Sequence, residues 1–398
     1  MKTKKLLALL LALVMVFSLT ACGSDNADDA SDAGENSAAD DTANAGDTAD
    51  APDDTADAGD ADADSSEGSE LALITDLGTI DDKSFNQGSW EGLVQYAEEN
   101  NITHKYYQPT EQSDDAYLAA IDLAVKGGAK VIVTPGFLFE VPVYKAQDTY
   151  PDVHFVLVDG APNNGDSENM DARINDNVVG LKYAEEQAGF LAGYAAVKDG
   201  MTKLGFMGGM AVPAVVRFGY GFVQGADFAA KEMGIDSVDV KYHYTGAFNA
   251  SPEAQTMASS WFKSGTEVIF ACGGAVGDSV MAAAKENDAK VIGVDVDQSS
   301  ESDTVVTSAM KGLKASVYSA ISDYYAGNFP GAQELIFDAK VDGVGLPMDT
   351  SKFDTFSQAD YDAIYAKLVA DEITIQKDID VDSASEITVE IVKVEEIS

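Results

Sequence analysis

Positive charge is scarce in this 398-residue chain: 25 lysines and arginines stand against 68 aspartates and glutamates, a formal charge of −43. Clustered Lys and Arg, the grip on phosphate that nucleic-acid binding needs, are missing, so no nucleic-acid partner is expected. The acids are unevenly spread. Residues 23–70 hold 17 of them, no base, and not one Leu, Ile, Val or aromatic residue. Such a segment cannot bury enough apolar surface to offset its ordering entropy, and its like charges extend it into a solvated tether. Residues 71–398 keep 51 acids and 22 bases, a net −29. That body of about 330 residues suits two lobes better than one.

Catalytic groups are equally sparse. The three histidines, His104, His154 and His243, show no metal-ligand spacing and read as exposed or half-buried residues at strand edges. Neither a G-x-S-x-G elbow nor a G-x-x-x-x-G-K-[ST] phosphate loop occurs. Gly219-x-Gly221-x-x-x-Gly225 misses the last spacing of a dinucleotide fingerprint and lies inside a helical pattern, where helix packing explains it better. Asp295-x-Asp297-x-Ser299 opens like a calcium loop, but Ser300 takes the glycine place and Val306 the terminal acid place. Cys272 ends the apolar run Val268-Ile269-Phe270-Ala271-Cys272 and reads as a small buried hydrophobe without a base nearby in sequence. Met207 and Met210 read as core or cleft lining. No catalytic residue, metal or cofactor is expected, and the protein is not expected to be an enzyme.

What the chain does have begins with a leader. Lys2, Lys4 and Lys5 precede 14 almost wholly apolar residues, positions 6–19. That run is too short to span a bilayer core of about 30 Å as a helix and reads as a secretory signal peptide. Leu19-Thr20-Ala21-Cys22 resembles the lipobox of bacterial lipoproteins. The resemblance implies cleavage before Cys22 and diacylation of its thiol. Residues 1–21 are then the leader and 22–70 the lipidated cysteine with its acidic linker. With Cys22 lipidated and Cys272 the one cysteine left, no intrachain disulfide is possible.

From Leu71 onward β-branched runs alternate with helical periodicity. Strands are expected at residues 71–75, 130–134, 154–159, 203–208, 238–244, 267–272, 290–295 and 304–307. Helices are expected at 85–99, 115–126, 185–197, 213–232, 251–263, 277–286 and 310–325. Strands alternating with helices of 10–15 residues predict an α/β fold of parallel βαβ units, doubly wound, in two lobes. Ligands of open parallel sheets bind beyond the carboxyl ends of the strands. Asp76, Gly136-Phe137, Asp159, Gly208-Gly209, Phe248, Gly273-Gly274 and Asp295 gather at those ends: aromatic faces for a flat ring, carboxylates for hydroxyls, glycines for close backbone approach. Each has a plainer reading. Phe85 could staple its helix to the sheet, Asp295 could cap the next segment, and Lys311 could be a surface lysine.

Asp81-Asp82-Lys83-Ser84-Phe85-Asn86-Gln87-Gly88-Ser89-Trp90-Glu91-Gly92 resembles the opening signature of the basic membrane protein family of lipoproteins. These are substrate-binding components of ABC transporters and include the purine-nucleoside receptors. Glu186-Gln187-Ala188-Gly189-Phe190-Leu191-Ala192-Gly193-Tyr194, Gly205-Phe206-Met207-Gly208-Gly209, Gly293-Val294-Asp295-Val296-Asp297-Gln298 and Thr307-Ser308-Ala309-Met310-Lys311 follow in the family's order. The resemblance implies a type I periplasmic-binding-protein fold, two doubly wound parallel-sheet lobes joined by three crossovers around a ligand cleft. The lobes are expected at residues 71–173 with 306–329 and at 174–305 with 330–398. It implies that Phe85 is one ring clamping a base, with Phe248 the second and Phe218 its competitor. Asp295 matches the acid that binds ribose and Lys311 a lysine on the sugar side, while Asn86, Asp76, Asp159 and the backbone at Gly273 complete the site.

The function implied is capture of a nucleoside, a purine one, by lobe closure and delivery to permease subunits. The protein is expected to be a monomer held by Cys22 on the outer side of a cell membrane in a Gram-positive-type envelope. A sugar, flavin or signalling molecule in the same fold is the alternative ligand. A cell-surface nucleoside hydrolase is the alternative activity, and it would need a calcium-holding Asp cluster that the sequence does not show.

Overall fold

A computed structural model describes residues 68–397 apart from Leu77. The expected leader, Cys22 and all but the last few residues of the expected linker lie outside the described residues. Strands β1 (Leu71–Ile74), β2 (His104–Tyr107), β3 (Val131–Pro135), β4 (His154–Val158) and β5 (Val178–Tyr183) come first. Then follow β6 (Lys203–Gly208), β7 (Val238–Tyr244), β8 (Val268–Cys272), β9 (Lys290–Asp295) and β10 (Val305–Lys311). The last are β11 (Gln333–Phe337), β12 (Val344–Gly345) and β13 (Val392–Glu396). The helices between them are α1 (Phe85–Asn100), α2 (Asp114–Lys126), α3 (Glu140–Thr149), α4 (Glu185–Lys198) and α5 (Pro213–Met233). Further on are α6 (Pro252–Lys263), α7 (Val276–Asn287), α8 (Leu313–Tyr325) and α9 (Gln358–Val369).

Two sheets result, ordered β2-β1-β3-β4-β5-β11 and β13-β7-β6-β8-β9-β10-β12. Every ladder is parallel except the short β10–β12 pair. The same doubly wound order, second-first-third-fourth-fifth strand, runs through both lobes. Parallel sheets are covered on both faces, which is why β1 and β3 read as unbroken apolar runs and are buried throughout. The chain crosses between sheets three times: after β5, after β10 and after β11.

Local chemistry sets the helix ends. Ser113 and Ser251 cap α2 and α6 by accepting the N–H groups of Ala116 and Ala254. Ser357 and Asp360 form a reciprocal capping box on α9. Pro213 opens α5 and Gly234, in the left-handed region, closes it. The glycines that resembled a dinucleotide fingerprint serve helix packing. A Cβ on Gly189 or Gly193 of α4, or on Gly221 or Gly225 of α5, would fall within 2.1 Å of a carbonyl oxygen of the other helix. The four together let α4 and α5 cross backbone against backbone. Cys272 is buried, as its apolar run suggested.

Sheet membership moves the expected lobe boundaries. β5 was expected in the second lobe, but its residues pair with Phe155–Val158 of β4 and with β11, which puts both β5 and β11 in the first sheet. β10 was expected largely in the first lobe and instead pairs with β9. Met310 and Lys311 are the end of that strand, not the start of the following helix, which begins at Leu313. Long-range pairing decides these memberships, and local periodicity carries no information about it.

Candidate functional site

A cavity of about 750 Å³ lies beyond the carboxyl ends of the strands of both sheets, and all eight residues expected to bind ligand line it. Asp76 follows β1, Asp159 follows β4, Gly273 follows β8, and Phe248 follows β7. Asp295 and Lys311 are the last residues of β9 and β10, and Phe85 and Asn86 open α1. Both switch points, between β1 and β3 and between β6 and β8, feed residues into the cavity, as the rule for open parallel sheets requires.

Lys311 is the centre of the arrangement, and the surface reading of it is excluded: its side chain is 2% exposed. Its ammonium contacts the Asp159 carboxylate directly, with Glu185 Oε1 at 3.5 Å and Asp295 Oδ1 at 3.7 Å. The rings of Phe85, Phe218 and Tyr183 lie 5.0, 5.2 and 5.5 Å from it. Burial works against the charged ammonium, but the three carboxylates outweigh it and hold the lysine protonated. Arg217 reaches Glu185 as well, at 3.3 Å, and the two cations still leave the three buried acids with negative charge in surplus. Burial accordingly pushes the Asp159 carboxyl up, to about 7, against the pull of Lys311. Asp295 is also raised by burial, although the Ser84 hydroxyl donates to its Oδ2 at 2.6 Å. Both aspartates sit in the left-handed region, φ 58° and 68°, which aims the side chain off the end of a strand and which Asp tolerates better than most residues.

Two buried acceptor atoms in this cavity have no partner: Asp159 Oδ1 and Asn86 Oδ1. The amide nitrogen of Asn86 is committed, donating to Asp76 Oδ1 at 3.1 Å and to Asp82 Oδ2 at 2.9 Å. Asp82 also accepts the backbone N–H groups of Ser84, Asn86 and Gln87 and so fixes the start of α1. Burial raises Asp76, whose carboxylate accepts the Gly78 N–H at 2.6 Å. The cavity therefore offers one acceptor beside the Lys311 cluster and a second beside Asp76.

The aromatic rings divide by burial. Phe85 and Phe248 are half-buried cavity walls, whereas Phe218 is 1% exposed, edge-on to Phe270 at 5.8 Å and under Lys311. The Phe248 ring lies on bare backbone: a Cβ on Gly209 would come 2.4 Å from its Cδ1. Gly273 is just as constrained, since a Cβ there would meet the Gly209 nitrogen at 2.6 Å. Among the described residues, no group of three or more His, Cys, Asp or Glu side chains is arranged to hold a metal ion.

A family model described as ABC transporter substrate-binding protein, PnrA-like (Bmp), matches residues 69–379. The chain belongs to the Bmp family. A nucleoside-binding protein of an ABC transporter, BmpA from Lactococcus lactis subsp. cremoris, is 30% identical over 325 residues, 75% of this chain and 88% of the relative. Basic membrane protein D from Borreliella burgdorferi is 29% identical over 303 residues, covering 75% and 84%. Among solved structures, a solute-binding protein of an ABC transporter system from Aeropyrum pernix superposes with a TM-score of 0.67 at 23% identity, covering 79% of this chain and 95% of that one. A sugar-binding protein of an ABC transporter from Bacillus halodurans gives 0.52 at 16% identity, covering 72% and 99%. These two establish the periplasmic-binding-protein fold.

Of the charged residues of this Bmp cavity that sequence reasoning missed, Glu185 and Arg217 are the two that join the Lys311 cluster. Glu185, the first residue of α4 directly after a crossover, is buried against Lys311, and Arg217 of α5 reaches its other oxygen at 3.3 Å. Arg217 also holds Asp378 at 2.8 Å, tying the cavity wall to the C-terminal segment. The available signal was position: an acid opening a helix immediately after a strand end. Phe137 and Leu138, just past β3, line the first-lobe side, and Met210 lines the second, as one of its two readings had it.

Proposed function

We propose that this ABC transporter substrate-binding protein captures a nucleoside, a purine one, between the rings of Phe85 and Phe248. The ribose is held by the acids around Lys311. The observation that carries this reading is the unpartnered Asp159 Oδ1 beside the buried Lys311–Glu185–Asp295 cluster. A fixed acceptor in surplus negative charge wants a neutral donor, and a sugar hydroxyl is one. Asn86 Oδ1, beside Asp76, is left to take an N–H of the base. The two half-buried phenylalanines supply flat apolar faces. The name of the Lactococcus lactis relative, a nucleoside-binding protein, agrees with the assignment.

Charge narrows the ligand further. The cavity is lined by eight acids and four bases, so a phosphate-bearing nucleotide meets net repulsion and the neutral nucleoside is preferred. The ligand is bound and released unchanged, by closure of one lobe on the other, and passed to permease subunits. Anchoring through lipid on Cys22 keeps the receptor, a monomer, on the outer face of the membrane, at the end of its acidic linker. Mass spectrometry of small molecules released when the purified protein is denatured tests the ligand class. A nucleoside is expected. A sugar or flavin in its place overturns the assignment, and free base with ribose appearing during incubation with nucleoside points to hydrolysis instead.

A further inference from the structure

Glu185 stands two residues past the end of β5, where the chain crosses between the sheets, and Ala184 before it offers no side-chain cap to start α4. Support comes instead from a segment near the C-terminus. Residues 372–377 belong to no helix or strand, so side chains fix their place. Ile375 is buried in the main core, and the Gln224 amide of α5 brackets Gln376, accepting its N–H at 2.8 Å and donating to its carbonyl at 2.9 Å. Lys377 then reaches Glu186 at 2.6 Å, and Asp378 takes Arg217 through Nε at 2.8 Å and Nη2 at 3.4 Å. Glu185 and Glu186 are 1% and 3% exposed, so this brace on the first turn of α4 has little water to weaken it.

Arg217 is the shared element. It lines the cleft and lies 3.3 Å from Glu185, while Asp378, outside the cleft lining, holds two of its nitrogens in a fork. Burial works against the guanidinium charge, and Asp378 with Glu185 outweighs it. We propose that Asp378 is a positioning residue of the cleft: it holds Arg217 back from the ligand and so leaves Glu185 to Lys311. Without the Asp378 carboxylate, Glu185 is the one carboxylate left to the guanidinium among the described residues. Glu185 then turns toward Arg217, and Lys311 is left to Asp159 and Asp295. The field in the cleft becomes more positive, and an anionic ligand is repelled less. The ligand side of this inference rests on the nucleoside reading of the cleft; the brace rests on geometry alone.

Two measurements on the full chain, on Asp378→Asn and on Asp378→Glu test the role. The first is calorimetry with adenosine, guanosine and their 5′-monophosphates. Asp378→Asn is expected to narrow the preference for nucleoside over monophosphate about tenfold, which corresponds to about 1.4 kcal/mol, and Asp378→Glu to restore it. A merely structural loss weakens both ligands alike and leaves the ratio where it was. The second is hydrogen exchange without ligand. The amides of Gln187 and Ala188, which donate to the Ala184 carbonyl, are expected to exchange at least about tenfold faster in Asp378→Asn, with those of β1 at wild-type rates. An unchanged ratio overturns the proposal, and so does a ratio that Asp378→Glu leaves as narrow as Asp378→Asn does. Unchanged exchange at Gln187 and Ala188 overturns it as well. A wild-type protein that binds neither nucleoside overturns the reading of the cleft instead, and the exchange rates alone then decide whether the brace exists.

Discussion

Lys311 joins stability and the proposed recognition in one residue. It neutralises part of a buried acidic cluster while its ammonium leaves one oxygen of Asp159 free. Replacing it by alanine leaves Asp159 and Asp295 buried without a cation and Glu185 to Arg217 alone, and is expected to cost about 3–5 kcal/mol in urea unfolding, the range for breaking a buried pair, along with ligand binding. The two candidate rings behave oppositely. Phe218→Ala removes a core side chain and is expected to cost about 3–5 kcal/mol of stability. Phe248→Ala, on a half-buried ring, is expected to leave thermal stability nearly unchanged and to weaken the ligand by about 1–3 kcal/mol, the contribution of one stacked ring. Equal effects of the two on ligand affinity at unchanged stability would contradict this division.

Asp159 gives a pH signature. Its carboxyl rises from 3.8 in the unfolded chain to about 7 in the folded one. The folded protein thus holds a proton that the unfolded chain has released, so this group's contribution to stability is complete below about pH 4 and lost as the pH rises to about 7. Urea unfolding of the ligand-free protein across that window should show stability falling with pH. Asp159→Asn should flatten the slope; an unchanged slope assigns it to another group.

Elements were legible in the sequence where burial is two-sided. β1, β3, β4, β6, β8 and β9 are mainly apolar runs, β7 (VDVKYHY) alternates, and all were placed from pattern alone. The strands that were missed are mainly edges. β2 (HKYY), β11 (QELIF) and β13 (VKVEE) expose much of their length and carry polar residues there, which erases the pattern. β5 is interior but broken by Gly180, where a Cβ would come 2.8 Å from the Gly160 carbonyl oxygen. α3 hides behind Pro142 in its first turn, and α9 buries only Ile364 and Leu368. The α4–α5 crossing yields a contrast that local propensity does not foresee. Gly225→Ala is expected to melt the protein well below wild type, because its Cβ would fall 1.9 Å from the Phe190 carbonyl oxygen. Gly234→Ala, with φ 66° and open space, should cost only about 1 kcal/mol. Comparable melting temperatures for the two would show that the helices can move apart.

At the scale of the whole molecule, the eight residues read as a site from strand ends and family motif do line one cavity, although they span positions 76 to 311. For Asp76, Asp159, Phe248, Gly273 and Asp295 the convergence follows from a rule about sheets and needed no knowledge of pairing, whereas Phe85, Asn86 and Lys311 came from the family motifs. Glu185 and Arg217 escaped because their importance lies in Lys311 and Asp378, partners far away in sequence. The acidity that dominates the composition then acquires two roles. Most of it lies outside the cleft, while the eight acids that line the cavity are proposed to set what the cleft rejects. Calorimetry with guanosine or adenosine against the corresponding 5′-monophosphate measures that rejection directly. The account predicts that at least one of the two nucleosides binds and that its monophosphate binds at least about a hundredfold more weakly, a difference of about 2.7 kcal/mol. A monophosphate that binds as tightly as its nucleoside, or a cleft that ignores both and takes a sugar, would contradict it.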